Sequence, residues 1–227
     1  PPPSFPPPPP VPPPPPSPPL LYGNEEEESI RHMPAIVSKN PNGLQSIDRQ
    51  THVQKYVSFL RAITALNRQT PTSAVLVQEH NLKRADAADH QKTARRLRVV
   101  ALINYMPTVD YKGGTAIFVP YDRIELTSKS ESIDEAVDRL HASAVFAAAG
   151  RLTRVTAIID GHSLQLTSVY AHASQQALRR LFLKRTIRPY LDHNSVLAID
   201  ANCVPDPTID VVSRARSPYN NVGANEL

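Results

Sequence analysis

Four short segments of this chain place carboxylates, amides and a phenol directly beside apolar runs: Asn40-Pro41-Asn42-Gly43-Leu44, Gln78-Glu79-His80, Tyr170-Ala171-His172 and Asp200-Ala201-Asn202-Cys203. Strand ends in a layered protein converge on one rim. Carboxylate and amide oxygens gathered there would form a hard site suited to Mg²⁺ or Mn²⁺. Phosphodiester cleavage uses such a site, because a cation screens the phosphate charge while a base deprotonates the attacking water. Each segment alone is unspecific, since a carboxylate after a strand is more often a helix cap or turn former. His80, His90 and His172 show no H-x-x-x-H pattern, which leaves little support for zinc. Cys203 is the single cysteine, so no intramolecular disulfide and no thiolate zinc cluster can form. No His–carboxylate partner lies nearby in sequence, and the expectation for it is an inert side chain.

The elements that must position these residues follow from periodicity. Ile47 to Asn67 contains an amphipathic helix, with Val53, Tyr56, Val57, Leu60 and Ile63 on its apolar face. Ala85 to Arg98 reads as a second helix. Ser174 to Arg188 reads as a third, with Leu178, Leu181 and Phe182 inward. Strands are expected at Pro34 to Ser38, Ala74 to Gln78, Val99 to Ile103, Thr115 to Val119, Leu152 to Ile159, Ser163 to Tyr170 and Val196 to Ile199, with Asp200 just past the last. Asp160-Gly161 between two β-rich runs is a strong hairpin signal. A mixture of hairpins and helical crossovers favours a layered α+β or α/β sandwich over a barrel of regular βα units.

Of the first 20 residues, 15 are proline. Proline fixes φ and lacks an N–H, so the expectation is a solvated polyproline II tail. Residues 1–33 are read as a disordered proline-rich and acidic tail and 34–227 as the folded domain. Phe5-Pro6-Pro7-Pro8-Pro9 resembles ligands of EVH1 domains, and other stretches suit SH3 or profilin-type grooves; any proline tract gives such matches, and a spacer serves as well. Residues 1–34 hold four acidic residues and one arginine, which leaves 24 Lys+Arg against 17 Asp+Glu, or +7, in the rest. A basic body suits a polyanion through counterion release; ordinary solubility explains it equally well. No apolar stretch is long enough to span a bilayer, no secretory signal opens the chain, and no membrane partner is expected.

Taken in order, the motifs resemble the endonuclease/exonuclease/phosphatase superfamily, and in detail the endonuclease domain of non-LTR retrotransposons. The matching elements are Asn40 to Leu44, Gln78-Glu79, Gly113-Gly114-Thr115-Ala116-Ile117, Gly150-Arg151, Val169-Tyr170-Ala171 before Arg179-Arg180-Leu181-Phe182, and Ile199-Asp200-Ala201-Asn202-Cys203-Val204. The resemblance implies a four-layer α/β sandwich and a Mg²⁺-dependent endonuclease acting on DNA. It implies Glu79 as principal metal ligand, Asn42 where many relatives have a metal-holding Asp, and Asn40 as an orienting residue. Tyr170 would contact the scissile phosphate, Asp200 would activate or position water, and Asn202 would hydrogen-bond the phosphate. Arg151, Arg179, Arg180 and Lys184 would touch the DNA backbone, although a solvated helix face accounts for the helical ones equally well.

The sequence departs from that pattern at Asn42, Ile199, Ala201 and Ala173. The family's late Ser-Asp-His element does not occur, and the resemblance therefore implies a carboxyl-terminally incomplete domain with weak or no activity as this polypeptide. The competing reading is a proline-rich interaction protein carrying a non-catalytic endonuclease-like remnant. A third is a translated relic without function. A nuclear location would follow only from DNA as substrate.

Overall fold

The central strands lack the alternation of half-buried strands because both of their faces are covered. Thr72–Gln78 (β2), Val99–Asn104 (β3) and Thr115–Pro120 (β4) are buried at every position. With Ala35–Lys39 (β1) they form one four-stranded sheet in the order β1-β2-β4-β3, in which β1 runs parallel to β2 and the other pairs are antiparallel. Val145–Ala147 (β5), Leu152–Ile159 (β6), His162–Tyr170 (β7) and Ser195–Asp200 (β8) form the second sheet in that order, with β8 parallel to β7. The structure, a computed structural model, describes residues 35–41, 44, 49–69, 72–107, 113–159 and 161–202. The expected tail, Asn42 and Cys203 lie outside the described residues.

The two sheets face each other. Ala74, Leu76, Val100, Leu102, Ile117 and Val119 of the first meet Val155, Ala157, Ile159, Leu166 and Ala198 of the second. On the opposite face of the first sheet, Val75, Val77, Ala101, Ile103 and Phe118 pack with Tyr56, Leu60 and Ile63 of helix α1 (Arg49–Gln69) and Ala94 of helix α2 (Ala87–Arg96). Behind the second sheet, Leu152 and Val169 pack with Phe182 of helix α4 (Gln176–Phe182) and with Leu183 and Ile187 of the wider π-type turn that continues it. Helix, sheet, sheet and helix make the α+β four-layer sandwich that the motif order implies. No helix among the described residues is long and apolar enough to cross a membrane.

Three expectations require correction. Helix α3 (Ile133–Ser143) was not anticipated, although Ser132 and Glu135 close a reciprocal capping box at its start; its Val137 and Leu140 join the inter-sheet core. In α1, Val53 is 47% exposed while the neighbouring His52 is buried. In α4, Leu178 and Leu181 face out, and Arg179 is buried with Phe182. The hairpin pairing follows the Asp-Gly signal: Ile159 pairs with His162, and Gly161 adopts φ +76° in open space, as a tight turn requires.

Candidate active site

The strand ends carry the chemistry. β2 ends at Gln78, and the chain then turns sharply because Glu79 and Asn81 both adopt φ 55°. Non-glycine residues in this region cost of order 1–3 kcal/mol and persist where the surroundings enforce them. Here the backbone of the loop is tied down on two sides. His80 N–H donates to Gly114 O (3.3 Å), Asn81 N–H to Gly113 O (2.8 Å), and Leu44 N–H to His80 O (2.7 Å). The fully buried His80 ring fixes the turn from within: its Nδ1 accepts from Leu82 N–H (2.9 Å), which leaves Nε2–H to donate to the Asn104 carbonyl (3.2 Å). Burial holds this ring neutral, with its pKa pushed down to about 4.

The result is that Glu79 meets the end of the other sheet. Asn40, just past β1, directs its Nδ2 toward Glu79 Oε2 at 3.4 Å and Asp200 Oδ2 at 3.1 Å. Two carboxylates separated by most of the chain thus share one amide. Asp200 is the last residue of β8, paired with Tyr170 at the end of β7. Its other oxygen accepts from Asn202 N–H (3.1 Å), and Asn202 Nδ2 donates to Ala171 O (2.7 Å). Asn202 itself sits at φ 50°.

Tyr170 lies in the same cluster. Burial raises its pKa, and the Glu79 and Asp200 charges push it further up, while Arg151 and the Asn202 side chain pull the other way. The hydroxyl therefore stays a protonated donor at neutral pH. Arg151 stands 5.5 Å over the Tyr170 ring and donates to the carbonyls of Tyr170 and Ala171, each at 3.3 Å. The glycine pair makes room for these rings: a Cβ on Gly113 would lie 3.1 Å from the Tyr170 ring, and one on Gly114 would lie 2.4 Å from the His80 ring.

Glu79 and Asp200 bring hard carboxylate oxygens together, with Asn40 presenting its N–H group to both, so the chemistry of the set fits Mg²⁺ or Mn²⁺ and not a soft ion. A divalent cation would also offset the mutual repulsion of the two carboxylates, which Asn40 Nδ2, shared by both, and the Asn202 N–H on Asp200 already moderate.

The fold is similar to solved structures of endonuclease/exonuclease/phosphatase proteins. One is the AP endonuclease LMAP from Leishmania major, at 15% identity and a TM-score of 0.47, covering 83% of this chain and 61% of that one. Another is an endonuclease/exonuclease/phosphatase from Bacteroides vulgatus, at 14% identity and a TM-score of 0.46, covering 75% and 66%. A third is the endonuclease domain of TRAS1, a telomere-specific non-LTR retrotransposon, at 15% identity and a TM-score of 0.40, covering 74% and 59%. The chain thus spans about three-fifths to two-thirds of the length of these proteins. No protein-family model and no curated protein matches it.

Of the residues singled out in the sequence, the structure brings Asn40, Glu79, Tyr170, Asp200, Asn202 and Arg151 together. Arg179 needs correction: it is 1% exposed and donates from Nη1 to the carbonyls of His172 and Ala173, each at 3.1 Å. It braces the loop after Tyr170 and cannot lie on an exposed DNA-binding face. Arg180 and Lys184 are exposed. Sequence reasoning missed Gln78 as a structural residue. Its Nε2 donates to Ser168 Oγ (3.1 Å), and its Oε1 accepts from Ser38 Oγ (3.2 Å), so it joins the two sheets directly beneath Glu79. Nothing local marks it; the signal is only its place as a polar end to an apolar strand.

Proposed function

We propose that this chain is a metal-assisted phosphodiesterase that hydrolyses DNA, in the manner of a retrotransposon endonuclease. The observation that supports it is the convergence of Glu79 and Asp200, from two different sheets, on Asn40. Glu79, assisted by Asn42, would hold Mg²⁺ or Mn²⁺, which when bound supplies charge neutralisation at the phosphate. Asp200 would position the attacking water and accept its proton. Its orientation is set by Asn40 on one oxygen and by the Asn202 backbone on the other. Tyr170, kept as a phenol, would donate to a non-bridging phosphate oxygen, and Asn202, anchored on the Ala171 carbonyl and in contact with the Tyr170 hydroxyl, would hydrogen-bond the phosphate beside it. Arg180 and Lys184 would meet the DNA backbone from the exposed face of α4 and the turn that follows it. The half-buried guanidinium of Arg151 would hold Tyr170 in place through its carbonyl contacts.

The test is nicking of supercoiled plasmid. The chain is expected to nick weakly in Mg²⁺ or Mn²⁺, in keeping with the absent Ser-Asp-His element, and to stop in EDTA. Glu79→Gln and Asp200→Asn should each lose activity by about 10²-fold or more. Equal nicking by the natural chain and Glu79→Gln would overturn the site assignment. Nicking that persists in EDTA, or none with either cation, would overturn the function.

A further inference from the structure

A second group of potential ligands lies away from the strand ends, between the helices that cover the first sheet. His52 projects from α1, Asp86 is the residue on which α2 begins, and His90 lies one turn into α2. One ligand atom from each of the three falls within 4.8 Å of the others. Asp86 and His90 are four apart, which puts them on one helix face. His52 and His90 are 5% and 3% exposed, so these rings are buried and cannot be exchanged freely with solvent.

The contacts they make are incomplete for buried polar groups. The two Nε2 atoms face each other at 3.2 Å. His52 Nδ1 is buried without a hydrogen bond of ordinary geometry among the described residues, although the Leu44 backbone acts on the ring and favours its protonated form. Only one of the two facing nitrogens can carry the shared proton, so two lone-pair-bearing imidazole nitrogens could converge on a cation in its place. The observed separation is close to the roughly 3.3–3.4 Å between two nitrogens bound tetrahedrally at about 2.0–2.1 Å. The His90 ring is also oriented from behind, as metal-binding imidazoles are: its Nδ1 lies 3.1 Å from the Tyr105 hydroxyl, and the Tyr105 ring stacks on it at 5.9 Å. A cavity of about 270 Å³ opens over the three side chains, lined also by Tyr56 and Asp89, and gives water access to a fourth position.

We propose that His52, Asp86 and His90 form a borderline-soft transition-metal site of the zinc type, which fastens α1 to α2 and is distinct from the hard oxygen site at Glu79. Two imidazoles and one carboxylate with water in the fourth position is a donor set that suits Zn²⁺ or Co²⁺ better than Mg²⁺. The ligand pattern is dispersed: His52 stands 38 residues before His90, which is why no contiguous histidine motif announces it.

The test uses the full, tag-free chain, stripped of metal and titrated with Co²⁺. One equivalent should bind with the intense visible absorption of a four-coordinate ion, and Zn²⁺ should displace it and raise the thermal midpoint. Asp86→Asn, at a partly exposed position, and His52→Gln, which keeps a hydrogen-bonding side chain, should each weaken Co²⁺ binding at least about tenfold while the circular dichroism of the fold is retained. Glu79→Gln should leave the Co²⁺ spectrum unchanged. Absence of a four-coordinate spectrum overturns the proposal, as does unchanged binding in folded Asp86→Asn. Loss of the signal in Glu79→Gln would place the ion at the strand ends instead. The acidic site can fail as a nuclease without affecting any of these outcomes.

Discussion

Glu79 and Asp200 present like charges to one amide, and everything around them limits how far they can move apart. At the scale of single residues the two groups that most directly set this cluster are Tyr170 and Gly114. Tyr170 is 8% exposed and its ring is packed on Arg151 and Gly113, so Tyr170→Phe keeps the packing and removes only the hydroxyl. We expect stability to change by less than about 1 kcal/mol, while nicking falls about 10²- to 10³-fold, in line with loss of one donor to a developing charge. A parallel loss of stability and activity would show that the hydroxyl serves the fold. Gly114 presents the reverse case. It adopts φ +92°, and a Cβ there would collide with three atoms of the His80 ring, the nearest at 2.4 Å. His80 cannot yield, because both its nitrogens are committed. Gly114→Ala is therefore expected to cost about 2–4 kcal/mol, combining backbone strain with overpacking, read as a fall in the urea midpoint. Gly161→Ala, at φ +76° in open space, carries only the strain and should cost less.

At the scale of elements, α3 is held by charges that can be titrated. Glu131 accepts from Arg139 Nε at 2.9 Å and from the Thr127 hydroxyl and backbone. The Arg139 hydrogen bond, with help from the Thr127 backbone, holds its carboxyl down at about 2. Because the folded value lies below the ordinary carboxylate value, the contribution to stability is present at neutral pH. It is lost as pH falls from about 4.5 toward 2. The difference in urea midpoint between the natural chain and Arg139→Gln should shrink over that window; a difference independent of pH would remove the ion pair as its cause. The same element shows what the sequence leaves legible. The Ser132–Glu135 box is readable, yet only Val137 and Leu140 of α3 are large buried apolar residues, too few for a clear helical period. In α1 the periodicity places Tyr56, Leu60 and Ile63 inward, as observed, but not Val53, and in α4 it places Phe182 inward but not Leu178 and Leu181. His52 takes the inward place instead of Val53, and Arg179 instead of Leu178. In both, a polar side chain is buried against a polar partner outside its own helix, His90 for one and the carbonyls of His172 and Ala173 for the other. Hydrophobic periodicity carries no information about such partners. The other strands are legible because their apolar runs are long, and the positions of Glu79, Tyr170 and Asp200 follow from where those runs stop; β5, three residues with Val145 and Phe146 exposed, gives no such run.

At the scale of the whole molecule, the site exists only if two separate sheets keep a fixed registration, since Glu79 belongs to one and Asp200 to the other. An apolar interface alone resists separation but only weakly resists sliding, because dispersion contacts are non-directional. The directional contacts lie at one rim. Gln78 donates to Ser168, Ser168 donates to the Val77 carbonyl at 2.7 Å, Thr115 and Thr153 meet at 2.8 Å, and Asn104 donates to the carbonyls of Ala147 and Leu152. These groups occupy the strand ends that carry the candidate site, so sheet registration and site geometry are fixed by the same bonds. Two variants separate registration from stability. Leu76→Ala removes a fully buried side chain from the inter-sheet core and should cost about 2–5 kcal/mol, with the rim bonds intact. Gln78→Leu preserves bulk but leaves the Ser38 and Ser168 hydroxyls without this partner, and should cost about 1–3 kcal/mol. Measured where both are folded, Mn²⁺ affinity is expected to fall in Gln78→Leu, the less destabilised protein, and to remain near that of the natural chain in Leu76→Ala. If affinity instead tracks stability across the pair, the rim bonds add to folding energy but do not place Glu79 against Asp200.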